Sequence, residues 1–267
     1  MQPCRLDDRA VISLTGPEAR GFLQNLVTND LDRLEPGRGL YAALLSPQGK
    51  IGFDFFVVEG EGGLLLDVAA AAREALLKKL KLYRLRAQVE IAAREELGVY
   101  AALTGDAVRR AVSFRDPRHD GLPARSIGAV AEMPADLPGT ADYHEARLAL
   151  AVPEGGDFGF EKIFALDGGL DELHAISFTK GCYVGQELTA RMKHRATSRK
   201  RPLLAMGDAP LPPPGTAVAR EGDIGEVIAT YGDRGFASVR LDKWTPDRPA
   251  RADDVTLRLI KPAWLER

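Results

Sequence analysis

Lys180-Gly181-Cys182-Tyr183-Val184-Gly185-Gln186-Glu187 is the stretch whose chemistry stands apart from the rest of this chain. Two glycines bracket a cysteine, and a helix-forming run starts near Gly185. Glycine lets a chain turn sharply and approach a ligand with no Cβ in the way. A thiol just ahead of a helix N-terminus, with Lys180 as a second positive charge, is biased toward the nucleophilic, metal-binding thiolate. The segment reads as a poised thiol on a loop, with Tyr183 available for stacking and Gln186 and Glu187 for polar contacts. A small buried cysteine in a tight turn is the alternative from composition.

Outward from this loop, residues 180 to 201 hold seven Lys or Arg and a single acid, Glu187. That is a local +6 in a chain of net charge -2, so the other residues sum to -8. The stretch from Arg191 to Arg201 is a candidate contact for a polyanion, either nucleic acid or a polyglutamate tail. A solvated connector is the plainer reading.

Upstream, Ala10 to Leu14 reads as a strand, and Ala19, Phe22, Leu23, Leu26, Val27 and Leu31 recur at helical spacing, which predicts an amphipathic helix over 17–34. Leu40 to Leu45 and Ile51 to Val58, joined by Ser46-Pro47-Gln48-Gly49, form a hairpin signature. A strand at Leu64 to Leu66 precedes a helix over 69–85, whose Lys78, Lys79 and Lys81 read as a solvated face. Further strands are expected at Gln88 to Ala92 and Gly98 to Leu103. Residues 115–140 read as connection and Asp142 to Ala151 as a helix. Past the linker-like Leu211-Pro212-Pro213-Pro214-Gly215, short strands at Ala217 to Arg220, Gly225 to Thr230, Ala237 to Leu241 and Val255 to Ile260 predict a small barrel.

Composition bounds the rest. At roughly 150 residues per domain, 267 residues suggest two or three domains, and 45% hydrophobic with 28% charged residues is ordinary globular usage. No apolar run approaches the ~20 residues of a membrane span, and the N-terminus shows no signal or transit pattern, so a cytoplasmic protein with no membrane contact is expected. Cys4 and Cys182, 178 residues apart, make no disulfide framework. No metal site is expected: a Cys-ligated iron–sulfur cluster typically takes four thiolates, so this chain does not enclose one alone. No Walker loop or GxGxxG motif is present, which disfavours an ATPase or dinucleotide enzyme.

The Lys180–Glu187 segment resembles the signature of the YgfZ family, folate-binding relatives of the glycine-cleavage T-protein linked to iron–sulfur enzymes. Phe22-Leu23-Gln24 with Thr28-Asn29-Asp30, the Ser46–Lys50 turn, Tyr83-Arg84-Leu85-Arg86 and Asp116-Pro117-Arg118 with Arg125 resemble further family segments. The resemblance implies an α+β, three-lobed T-protein-like cloverleaf with ferredoxin-like α+β lobes and a small C-terminal β-barrel. The lobes would be 1–46 plus 118–197, an inserted 47–117, and 198–267. It implies tetrahydrofolate as cofactor and Cys182 as the functional thiol. Lys180, Gly181, Tyr183, Gly185, Gln186, Glu187, Asn29, Asp54 and Arg147 would be the binding residues.

Two departures bear on the chemistry. A single acid, Asp54, stands where the T-protein has a pair, and Arg147-Leu148-Ala149 lacks the carboxylate of the T-protein's Arg-x-Glu. The expected function is support of iron–sulfur cluster assembly or repair, with client enzymes or assembly factors as partners. A folate-dependent one-carbon transferase and an RNA-binding or tRNA-modification accessory are the alternatives.

Overall fold

A computed structural model of the protein describes residues 3–102, 111–133, 136–195 and 199–266. It divides into two compact units: Met1–Leu44, Phe53–Ala146 and His174–Val184 form the first, and Leu45–Gly52, Arg147–Leu173 and Gly185–Arg267 the second.

The elements lying wholly or mostly in the first unit run β1 (Cys4–Arg5), β2 (Arg9–Thr15), α1 (Ala19–Gln24), β3 (Leu40–Leu45), β4 (Ile51–Gly60), β5 (Gly63–Ala69), α2 (Arg73–Arg84), β6 (Glu90–Ala93), β7 (Leu97–Ala101), β8 (Val112–Phe114), β9 (Arg125–Ala129) and α3 (Ala141–Ala149). Five strands form a sheet in the order β3-β4-β5-β2-β6, and four form a second in the order β1-β7-β9-β8. Side chains alternate between faces along a strand. Phe53, Phe55 and Val57 of β4 therefore join one apolar core with Leu23 of α1 and Leu76 and Leu80 of α2.

Phe56 faces the other way, under three guanidiniums: Arg125 at 4.3 Å, Arg118 at 4.8 Å and Arg9 at 5.8 Å from its ring centre. These charges are withdrawn from water and held by acids. Arg9 Nε donates to Asp67 at 2.6 Å and Arg125 Nε to the other oxygen of Asp67 at 2.8 Å. Arg118 grips Asp116 through Nε at 2.9 Å and Nη2 at 2.7 Å, and the Tyr143 hydroxyl accepts from both Arg118 and Arg125. Asp116, Arg118 and Arg125, the family-like Asp-Pro-Arg…Arg set, are thus internal struts of this unit.

In the second unit α4 (Gln186–Arg195) precedes β10 (Lys200–Gly207), β11 (Ala217–Ala219), β12 (Asp223–Tyr231), β13 (Arg234–Arg240), β14 (Ala250–Ala252) and β15 (Val255–Ile260). The six strands close a barrel in the order β10-β13-β12-β11-β14-β15. Closure needs β10 to bond on both edges, and it pairs with β13 and with β15. Leu203, Val218, Val227, Val239 and Leu257 fill the interior.

Several expectations are corrected. The helix expected over 17–34 stops at Gln24. Beyond it the backbone N–H of Thr28 donates to Ala43 O, its hydroxyl donates to Ala175 O, and the Asn29 side chain bonds the carbonyls of Tyr41 and His174. Such residues offer the backbone alternatives to a helical ladder. Residues 115–140 are not all connection, because β9 lies inside its sheet between β7 and β8. Its Arg125, Ser126 and Gly128 hide the strand from propensity. Strands β10 and β14 were also unexpected, and Leu103, the end of an expected strand, lies outside the described residues.

Candidate functional site

Residues 174–184 of the first unit form an irregular loop that ends in the thiol segment. Irregular backbone needs partners for its polar groups. Here Ser177 N–H donates to Thr28 O at 3.0 Å, and the Ser177 hydroxyl accepts from the N–H groups of Thr179 and Lys180. Lys180 is the anchor. Its ammonium donates to the carbonyls of Gln24 at 2.6 Å, Val27 at 2.7 Å and Asn29 at 2.8 Å. Burial lowers its pKa to about 8, against the pull of Asp30 and Asp32.

Two residues beyond this anchor Cys182 is exposed. A Cβ built on Gly181 meets nothing within 4 Å, so the approach beside the sulfur is open. The alternative of a buried structural cysteine does not hold for Cys182; it describes Cys4, which is buried, and burial raises its pKa. Tyr183 is buried rather than offered for stacking, with the Lys180 ammonium 5.5 Å from its ring centre.

The other expected residues fall in varied settings. Asn29 is buried and uses its side chain on Tyr41 O, His174 O and the N–H of Asp30. Asp54 is buried and accepts from the Tyr41 hydroxyl at 2.7 Å. In the second unit Arg147 is fully buried. It donates to Asp157 at 2.5 Å, to Val152 O at 3.0 Å and to the Tyr231 hydroxyl at 2.8 Å, which in turn donates to Asp157. Burial, and next the Asp157 carboxylate, push the Tyr231 pKa up.

Gly185 takes a left-handed φ of +81°, and a Cβ there would lie 2.6 Å from Ser46 O and 3.1 Å from the Cα of Gly49. It is a packing glycine, fitted against the hairpin turn. Gln186 and the exposed Glu187 open α4, and Glu187 accepts from Arg191 at 2.8 Å.

Pterin recognition needs polar groups turned toward a ligand. Asn29, Asp54 and Tyr183 of the first unit and Arg147 of the second are buried, with described contacts to protein groups, so these four side chains are not turned out toward a ligand. Among the described residues no three His, Cys, Asp or Glu are placed to hold a metal ion.

Several cations of the stretch Arg191–Arg201 are paired with acids. Residues 196–198 lie outside the described residues. Four of its cations meet acids that are distant in sequence: Lys193 pairs with Asp171 at 2.8 Å, Arg201 with Glu172 at 2.8 Å, Arg199 with Asp242 and Lys200 with Glu226, both at 3.9 Å. Nothing in the stretch's own sequence signals these partners.

Residues 199–267 match the family described as CAF17, C-terminal beta-barrel domain. The chain is 32% identical to the human protein named iron-sulfur cluster assembly factor IBA57, mitochondrial, over 97% of this chain and 84% of that one. It is equally 32% identical to the mouse protein of the same name, over 89% of this chain and 77% of that one. A solved structure of the glycine cleavage system aminomethyltransferase T from Bartonella henselae superposes with a TM-score of 0.76 at 15% identity, covering 99% of this chain and 86% of that one. The expected T-protein-like fold is therefore present. These relatives carry the IBA57 name rather than YgfZ. The expectation of a cytoplasmic protein is corrected, because the human and mouse relatives are mitochondrial by name; a fold does not encode its compartment.

Proposed function

This chain belongs to the family of the IBA57 iron–sulfur cluster assembly factors, and from that premise we propose that it supports assembly or repair of iron–sulfur clusters in client enzymes through the Cys182 thiol. The observation that carries this reading is the exposed sulfur beside the unobstructed Gly181, on a loop pinned by a buried ammonium. A thiolate is the form that ligates iron. One thiolate supplies one of the roughly four ligands a cluster takes, so the cluster, as cargo, is held jointly with a partner that supplies the others. The pinned loop fixes the sulfur's position, and Gly181 leaves room for the second protein's ligands.

Replacing Cys182 with Ser in cells that lack the wild-type gene tests this. The variant keeps its fold because the thiol is exposed, and it loses support of iron–sulfur enzyme activity. Full enzyme activity in those cells would refute the thiol's role.

A further inference from the structure

Helix α2 ends at Arg84 with Leu85 as its C-cap, within Tyr83-Arg84-Leu85-Arg86. Leu82 is 68% exposed and Leu85 is 85% exposed. Leu85 also holds a positive φ of 46°, where a side chain is rarely found. Leu85 borders a groove of about 720 Å³ walled by Phe22 and Leu26 on one side and by Tyr83, Arg84, Leu85 and Arg86 on the other. Arg84 and Arg86 stand on its wall, the Lys79 ammonium lies 5.6 Å from the ring centre of its Tyr83, and among the described residues no Asp or Glu forms an ion pair with any of these three. Glu18, the acid on the groove wall, accepts from the backbone N–H of Gln88. In the basic stretch after Cys182, by contrast, Lys193, Arg199, Lys200 and Arg201 meet acids.

We propose that this groove docks an acidic segment with an apolar anchor on the protein that shares a cluster with Cys182. The partner identity rests on the function proposed above; the chemistry of the groove does not. Cations without internal counter-ions select carboxylates, and an apolar concavity bordered by the exposed Leu85 selects an inserted hydrophobic side chain. The concavity favours a protein segment over a membrane, since the apolar stripe of α2 is already buried through Leu76 and Leu80. The location fits the role. Residues 22–29 line the groove with Phe22 and Leu26 and also accept the hydrogen bonds of Lys180 that pin the thiol loop.

The test uses the purified 267-residue chain and a fluorescein-labelled amphipathic peptide of about 16 residues, long enough to form a helix, with Leu at helical spacing and Glu elsewhere. The expected result is saturable anisotropy that weakens with salt and is lost when Gln replaces Glu in the peptide. Arg84→Glu with Arg86→Glu should weaken it by about tenfold or more. Leu85→Gly, which suits the positive φ, should weaken binding while leaving thermal stability equal or higher, a split that a merely structural role would not give. Equal affinity of wild type and both variants would overturn the proposal. So would binding to vesicles of phosphatidylcholine and phosphatidylglycerol in equal parts, with no peptide binding, since the surface would then be a membrane contact. The peptide assay does not involve the thiol, so its result stands apart from that of Cys182→Ser.

Discussion

The Lys180 ammonium sits 2.7 Å from the carbonyl oxygen of Val27, joining a loop to a segment 153 residues earlier in the chain. Two more carbonyls share the same charge, so one side chain fastens the thiol loop. Lys180→Met leaves these carbonyls without their donor and should cost on the order of 1–3 kcal/mol. Urea denaturation measures that loss. The rate of Cys182 with a disulfide reagent should rise as the loop loosens; an unchanged rate would show that the anchor does not govern the thiol.

The same residue gives a pH signature. Its pKa is about 8 in the folded chain against 10.5 ordinarily. The unfolded chain therefore binds more protons between these values, and stability rises with pH across that window. The stability difference between wild type and Lys180→Met should grow from pH 8 toward pH 10.5.

Glu172 should give the opposite slope. Burial, together with its hydrogen bond to Asp171, raises its pKa from 4.5 to about 7. Burial also works to raise Asp171, but the hydrogen bond from Glu172 and the Lys193 ammonium outweigh it and hold Asp171 low. The buried Asp171 Oδ1 and Glu172 Oε2 have no other donor, so a proton on Glu172 supplies one. A raised carboxyl pKa stabilises the fold fully below 4.5 and loses that contribution as pH rises through about 7. Glu172→Gln should flatten this part of a stability profile measured by thermal unfolding.

The two glycines of the motif should separate cleanly. Gly185→Ala would force a Cβ to within 2.6 Å of Ser46 O at φ +81°, costing about 1–3 kcal/mol from backbone strain alone. Gly181→Ala meets no atom within 4 Å, so its unfolding midpoint should be unchanged. A loss of iron–sulfur enzyme support in Gly181→Ala cells would then report crowding beside the sulfur.

Asp67→Asn should be the most damaging of the single changes. It strips charge from the carboxylate that pairs with Arg9 and Arg125, all three side chains being nearly inaccessible. Breaking a buried pair by removing one partner costs about 3–5 kcal/mol. Equilibrium unfolding should show it, and a loss under about 1 kcal/mol would mean that water reaches the cluster.

What the sequence by itself determined was local. Hydrophobic spacing located β2, α2 and most barrel strands, and the glycine-flanked cysteine marked a thiol loop. The ends of α1 and the existence of β9 were not legible, because Thr28 and Asn29 bond residues over a hundred positions away and Arg125 enters a strand only with Asp67 to neutralise it. The tertiary structure alone decided the electrostatics. Charge is cancelled through space, so Lys193, Arg199, Lys200 and Arg201 of the stretch most basic by composition meet acids distant in sequence, while among the described residues no acid pairs with Arg84 or Arg86 at the end of α2.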